Sequence, residues 1–108
     1  MSHDVRKHSE FLKVLVRCSA KQRKALLHKA GPKLLKTLCE CTLNVLKGNV
    51  RLTTRQKRQL VRHKKNLRFL ADKKISYKRK KQLLIQKGGF LPALLAPILS
   101  TLAGLFLK

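Results

Sequence analysis

The side chains in this sequence that could do covalent or acid–base chemistry are few and scattered. Its 108 residues include only four carboxylates, Asp4, Glu10, Glu40 and Asp72, and none has a close partner. General acid and base must both reach one reacting bond, so an isolated carboxylate has little to offer. The thiols are Cys18, Cys39 and Cys41. On a helix the Cys39-x-Cys41 spacing sets two thiols about 200° apart, on different faces. A structural zinc needs four converging ligands, usually with cysteines two to four residues apart. His3, His8, His28 and His63 are dispersed along the chain. No GxSxG, HExxH or phosphate-cradling Gly-rich loop is present. The expectation is therefore no enzyme, with no catalytic residue, no metal and no cofactor. An odd number of cysteines without paired spacing is unlike a secreted disulfide framework. It suits a reducing compartment, with the thiols serving as small apolar side chains.

Charge is the chemistry this sequence has in quantity. Lys and Arg number 27 against four acids, a formal net charge of +23. Such an excess repels itself and opposes a compact state, so it makes sense beside a polyanion, either nucleic acid or an anionic membrane surface. An apolar content of 44% is too high for a disordered basic arm. The charge is uneven. Residues 1–50 hold 11 Lys and Arg and 3 acids, while residues 51–87 hold 15 and only Asp72. The dense block contains RQKRQLVRHKKNLR and KKISYKRKK. Its candidate phosphate contacts are Lys57, Arg58, Arg62, Lys64, Lys65, Arg68, Lys78, Arg79, Lys80 and Lys81. Cations around a helix neutralise phosphates by releasing counterions and read no bases. Zinc-finger, ribonucleoprotein and GXXG signatures are missing. Phe69 and Tyr77 are too few for a stacking platform. The block predicts sequence-independent binding, with an anionic-lipid patch as the competing use.

Helices must position these residues. Val5, His8, Phe11, Leu12 and Leu15 recur at helical spacing over 3–17. Ser19 with Gln22 has the capping-box pattern and opens a helix carrying Ala25, Leu26 and Leu27 that stops at Gly31. Pro32 suits the first turn of a helix over 32–47, with Leu34, Leu35, Leu38, Cys41, Thr42, Val45 and Leu46 on one side and Gly48-Asn49 at its end. The pair 19–30 and 33–47 has the scale of a helix-turn-helix, but its second helix offers few base-reading side chains. Thr53 with Gln56 opens another helix over about 54–71, carrying Leu60, Val61, Leu67, Leu70 and Ala71, with Phe69 off that stripe. Ser76 caps a basic helix over 77–87 that ends at Gly88-Gly89. No period-2 strand pattern occurs. The expected fold is all-α: a small bundle of short amphipathic helices, then a basic helix, then a hydrophobic C-terminal helix. Composition divides the chain into 1–50, amphipathic; 51–89, strongly basic; and 90–108, a hydrophobic tail. The opening MSHDVRKHSEF lacks the apolar stretch of a signal peptide.

The tail is FLPALLAPILSTLAGLFL, Phe90–Leu107, without a charged side chain. As a helix it would span about 27 Å, near the thickness of a bilayer core. Pro92 falls at the helix start, where it is harmless. Pro97 lies inside and is expected to kink or break the helix. The segment could insert in a bilayer, pack against the helical region or another protein, or be removed. By residue chemistry alone, Gly88-Gly89 is a helix C-cap and linker.

The order of a basic run, Gly-Gly, then FLP and a Leu-rich tail resembles the C-terminal part of the adenovirus core protein X (mu) precursor family. It is also similar to basic proteins of Polinton and adintovirus elements. The likeness covers residues 78–107, and helices 3–47 have no counterpart in it. The resemblance implies a virion core protein that condenses DNA, located in the virion core and in the host nucleus during assembly. It implies a viral maturation protease that cuts after the double glycine. Here that maps to Gln86, Lys87, Gly88 and Gly89, with the cut before Phe90. Gln86 departs from the aliphatic residue usual at that position. The implied partners are duplex DNA, the protease and capsid proteins. The alternative from another class is a membrane-active or tail-anchored protein, in which 90–107 inserts and the polybasic block holds anionic headgroups.

Overall fold

Hydrophobic periodicity says where helices lie, and capping chemistry says where they stop. A computed structural model describes residues 3–107, with side chains placed for 5–103. The helices are α1 (His3–Lys7), α2 (Ser9–Arg17), α3 (Ala20–His28), α4 (Pro32–Leu46), α5 (Thr54–Val61), α6 (Lys64–Ala71), α7 (Tyr77–Lys87) and α8 (Leu91–Leu107). A 3-10 turn over Gly88–Phe90 joins α7 to α8. No strand occurs among the described residues, so the chain is all-α as expected.

The caps form as their sequence patterns predict. Ser19 Oγ accepts from the Gln22 backbone N–H at 3.2 Å, and the Ser19 N–H donates to Gln22 Oε1 at 3.0 Å. Thr53 and Gln56 repeat the exchange at 3.1 and 2.9 Å. Each box satisfies two N–H groups that a helix start would otherwise leave without partners. Gly48 has φ +78, a left-handed conformation that favours glycine. Its N–H reaches Val45 O and the Asn49 N–H reaches Asn44 O, which is the Schellman closure of α4.

Two expected helices are each divided, and both divisions fall at a histidine. The 3–17 pattern breaks at His8, whose Nδ1 lies 3.2 Å from Thr37 Oγ1 on α4. The 54–71 pattern breaks at Arg62-His63, and the His63 ring stacks on Phe90 with centroids 5.6 Å apart. In both cases a long-range side-chain contact accompanies a bend that the local pattern does not announce. The bend also moves Val61 off the core stripe, leaving it 68% exposed. Leu46, at the end of the α4 stripe, is exposed as well. Pro97 neither breaks nor ends α8, which runs through it. The ring removes one N–H bond to the preceding turn, and Pro97 O is taken by Thr101 Oγ1 at 3.0 Å.

The segment read from composition as a tail is the centre of the core. Leu91, Leu94, Leu95 and Ile98 are fully buried and Leu102 nearly so. Their spacing makes one continuous helix face. α8 lies along α2 and also touches α4 and α5. Facing it are Leu12 and Leu15 of α2, and Leu38 and Cys41 of α4 complete the same cluster. Of the three uses open to residues 90–107, the structure shows packing against the helical region. Burying those four α8 side chains is worth roughly 6–12 kcal/mol as an upper figure. That is the scale of a whole small domain's net stability. The three regions of differing composition thus share one core, running from Val5 to Leu102.

Candidate nucleic-acid interface

The cations of residues 51–87 are placed by three capped or braced helix starts. The Thr53 box fixes α5, which carries Lys57 and Arg58. The His63–Phe90 stack fixes the corner before α6, which carries Lys64, Lys65 and Arg68. Ser76 Oγ accepts the Arg79 N–H at 3.3 Å and starts α7. Just before it, Asp72 Oδ1 accepts the Lys74 N–H at 2.9 Å, closing the turn. Arg79 then lies over the Phe69 ring at 5.6 Å, which ties α7 to α6. Phe69, off the apolar stripe in sequence, therefore has a use: a guanidinium covers it.

Of the ten residues singled out from sequence, Lys57, Arg58, Arg62, Lys64, Lys65, Arg68, Lys78 and Arg79 are exposed. Four of them converge. The bend between α5 and α6 forms a hollow of ≈ 470 Å³ lined by Arg62, Lys64, Lys65 and Arg68, with His63 and Asn66 between them. An anionic group there would meet several positive ends at once, and no acid lines the hollow.

Two residues are placed otherwise. Lys80 is 4% exposed, so it cannot lie against a phosphate on the outer surface, and its ammonium sits 5.5 Å from the Tyr77 ring centroid. Lys81 is half-buried, and its Nζ donates to Ala30 O at 2.9 Å, in the short connection between α3 and α4. Both face inward because α7 packs on α3 and α4, leaving Lys78 and Arg79 outward. A lysine-rich run read without its packing face hides this distinction. The reverse omission concerns α3. Lys21 and Lys24 are exposed on it, and the fold sets α3 beside α7. Its weak apolar content was the available signal that α3 belongs with the charged surface.

At the glycine junction, Gln86, Lys87 and Gly89 are exposed, Gly88 is buried and Phe90 is 1% exposed. Neither glycine has a positive φ, so no left-handed C-cap forms here. A Cβ on Gly88 would meet Leu27 Cδ1 at 3.6 Å, an ordinary contact, and one on Gly89 would meet nothing. The backbone does not require glycine at either position.

The thiols stand apart from this surface. Burial pushes the Cys41 thiol up to about 12, with the neighbouring Glu40 charge adding to the effect. Burial raises Cys39 too, and Lys80 partly offsets it. Such thiols are poor nucleophiles at neutral pH. No group of three or more potential metal ligands converges among the described residues. What the surface can do chemically is hold anions. Comparison with known proteins finds no matching family model, no matching curated protein and no matching solved structure.

Proposed function

We propose that this chain binds duplex DNA without reading its sequence and condenses it, as a core protein of an adenovirus-like virus or mobile element. The carrying observation is the set of exposed cations on α5, the α5–α6 corner, α6 and α7, eight of them the candidates named from sequence, with Asp72 the lone acid of residues 51–87. Solvated helix faces normally mix charges of both signs, and this one does not. Short rigid helices hold the cations at fixed separations, so binding neutralises several phosphates together and releases their counterions. No catalytic step enters this role. It is exercised in the virion core, and in the host nucleus during assembly, with capsid proteins as neighbours.

The glycine junction fits a maturation cut after Gly89. That reading rests on the resemblance carried by the basic run, the Gly-Gly pair and the FLP that follows; the backbone itself does not require glycine at either position, so the pair is free to serve in recognition. Because Phe90 is buried, the protease acts on an opened chain. A cut there separates the α8 stripe from its partners, leaving the cationic helices without a core and free to mould to DNA.

Titration of the intact chain with random-sequence duplexes between 50 and 200 mM salt tests the reading. The expected log–log slope of affinity against salt is about −4 to −7, from roughly 0.9 per phosphate neutralised. A slope shallower than about −2, or a strong preference for one duplex sequence, would reject it. The membrane reading has one observation in its favour. The helical run Tyr77–Ala103 is long and apolar enough to cross a bilayer by length and composition, although 44% of its most apolar window is buried. Dye release from anionic vesicles by the intact chain, with duplex binding insensitive to salt, would favour that reading instead.

A further inference from the structure

One buried polar atom lies outside the basic block. Arg23, half-buried on α3, has its Nε covered and without a hydrogen-bond partner, the one such side-chain atom among the described residues. A covered N–H that meets no acceptor is unfavourable, and an acceptor that reaches it recovers the loss. Arg23 lines a hollow of ≈ 90 Å³ between α3 and the end of α7. Lys24 lines the same hollow, and no acid does.

The walls set what can enter. Leu27 of α3 and Leu84 of α7 make one side apolar, while Gly88 and Gly89 border the hollow with backbone and no side chain. A Cβ on Gly88 would lie 3.6 Å from Leu27 Cδ1 and 4.0 Å from Arg23 Cδ, so a longer side chain there would press on the arginine stem. The volume is far below the roughly 300–1,000 Å³ of a small-molecule site, and suits one compact anionic group. The planar fork of a guanidinium matches the oxygens of a phosphate or a carboxylate. Its last torsion is broad, so a small rotation turns Nε–H towards an entering oxygen. Apolar walls strengthen the bond that then forms. The surroundings favour phosphate over carboxylate. Lys21 and Lys24 are exposed on α3 and Lys87 at the end of α7, and α3 packs on α7. The cationic surface thus continues onto a second helix, and a series of cations suits a series of phosphates.

We propose that Arg23 takes one backbone phosphate of the bound duplex in this hollow, with Lys24 beside it and Lys21 on a neighbouring phosphate. The proposal rests on the DNA-binding reading. It adds a contact outside residues 51–87, on a helix whose composition placed it in the amphipathic region.

The test follows the Arg23 Nε–H by nuclear magnetic resonance in the intact, isotope-labelled chain, with the signal assigned through its bonds from the Arg23 backbone amide. The probes are a short random-sequence duplex, inorganic phosphate and phosphatidylglycerol vesicles. The expected result is a saturable downfield shift of that proton with the duplex and none with the vesicles. Inorganic phosphate should shift it at least about tenfold more weakly in affinity, because it lacks the neighbouring contacts. Arg23→Lys keeps the charge and loses the fork, so duplex affinity should fall about fivefold, whereas Arg17→Lys on α2 should change it less than about twofold. An Nε–H that stays put while the duplex binds would overturn the proposal, whether or not Arg23→Lys folds. Equal affinity for inorganic phosphate, a shift with vesicles, or equal losses in the two variants would overturn it as well. In each of those outcomes the duplex salt slope stays steep, so failure here is distinguishable from failure of the DNA-binding reading, which makes the slope shallow.

Discussion

Helix α8 has 17 residues, and α5 and α6 have eight each, so nearly equal lengths of helix have been put to opposite uses. α8 sends Leu91, Leu94, Leu95 and Ile98 into the core and carries no charge before Lys108. The α5–α6 pair buries Leu60, Leu67 and Leu70 and leaves Arg62, Lys64, Lys65 and Arg68 around an open hollow. A chain at +23 works against its own compaction, and the apolar helix through the middle is what opposes that repulsion. The apolar core stripe of α8 and the exposed cations of α5 and α6 therefore lie in different elements, joined where His63 stacks on Phe90. Mutations should separate stability from anion binding.

The sharpest way to break this contrast is to remove one side of it. A chain ending at Gly89 should lose its cooperative thermal transition by circular dichroism, yet keep a steep salt dependence of DNA binding. Retention of the transition would mean that α8 is not the core. Within the intact chain, Leu94→Ala or Leu95→Ala should cost about 2–5 kcal/mol in denaturant unfolding, with no change in salt slope.

The opposite side should respond in the opposite way. Replacing Arg62, Lys64, Lys65 and Arg68 together by glutamine should flatten the salt slope by up to about 3.6, at roughly 0.9 per lost phosphate contact. The melting temperature should hold or rise, because charge repulsion is relieved. A flattened slope accompanied by unfolding would show that the two sides are not separable.

A pH titration adds a test of the core alone. Cys41 has its folded-state value raised to about 12 from an ordinary value of 9.0. Its contribution to stability is full below pH 9 and falls as pH rises from 9 towards 12, because the unfolded thiol ionises first. Cys41→Ala should remove that part of the alkaline decline in unfolding free energy.

Smaller effects refine the boundary between the elements. Ser19→Ala and Thr53→Ala each remove a capping box and should cost about 1 kcal/mol. Gly88→Ala should change stability by less than about 1 kcal/mol in either direction, since its φ of −72 suits alanine and its Cβ meets ordinary contacts. The same substitution should block a cut that depends on the double glycine, read as the C-terminal mass of the chain after protease treatment. A large loss of stability in Gly88→Ala would return the glycines to a structural role.

Much of the fold was legible because its signals are local. The Ser19, Thr53 and Ser76 caps, the Gly31-Pro32 junction and the Gly48 closure each depend on residues within a few positions of one another. The basic surface was legible as a quantity of charge, and eight of the ten candidate cations are exposed. Lys80 and Lys81 could not be told from Lys78 and Arg79 in a run of like residues, since the distinction is which side of α7 meets α3 and α4. The bends at His8 and His63 were equally hidden, because their partners Thr37 and Phe90 are far away in sequence.

Periodicity, caps and charge count determined that this protein is a set of short helices with a surplus of positive charge, because each follows from neighbours along the chain or from composition. Tertiary structure alone decided that the apolar face of residues 90–102 is interior, that two lysines of the basic run face inward, and that the bend at His63 gathers four cations at one hollow. An apolar stretch is equally content in a bilayer, in a partner or in its own bundle. The choice is made by whether matching apolar faces exist elsewhere in the chain, and here α2 and α4 supply them.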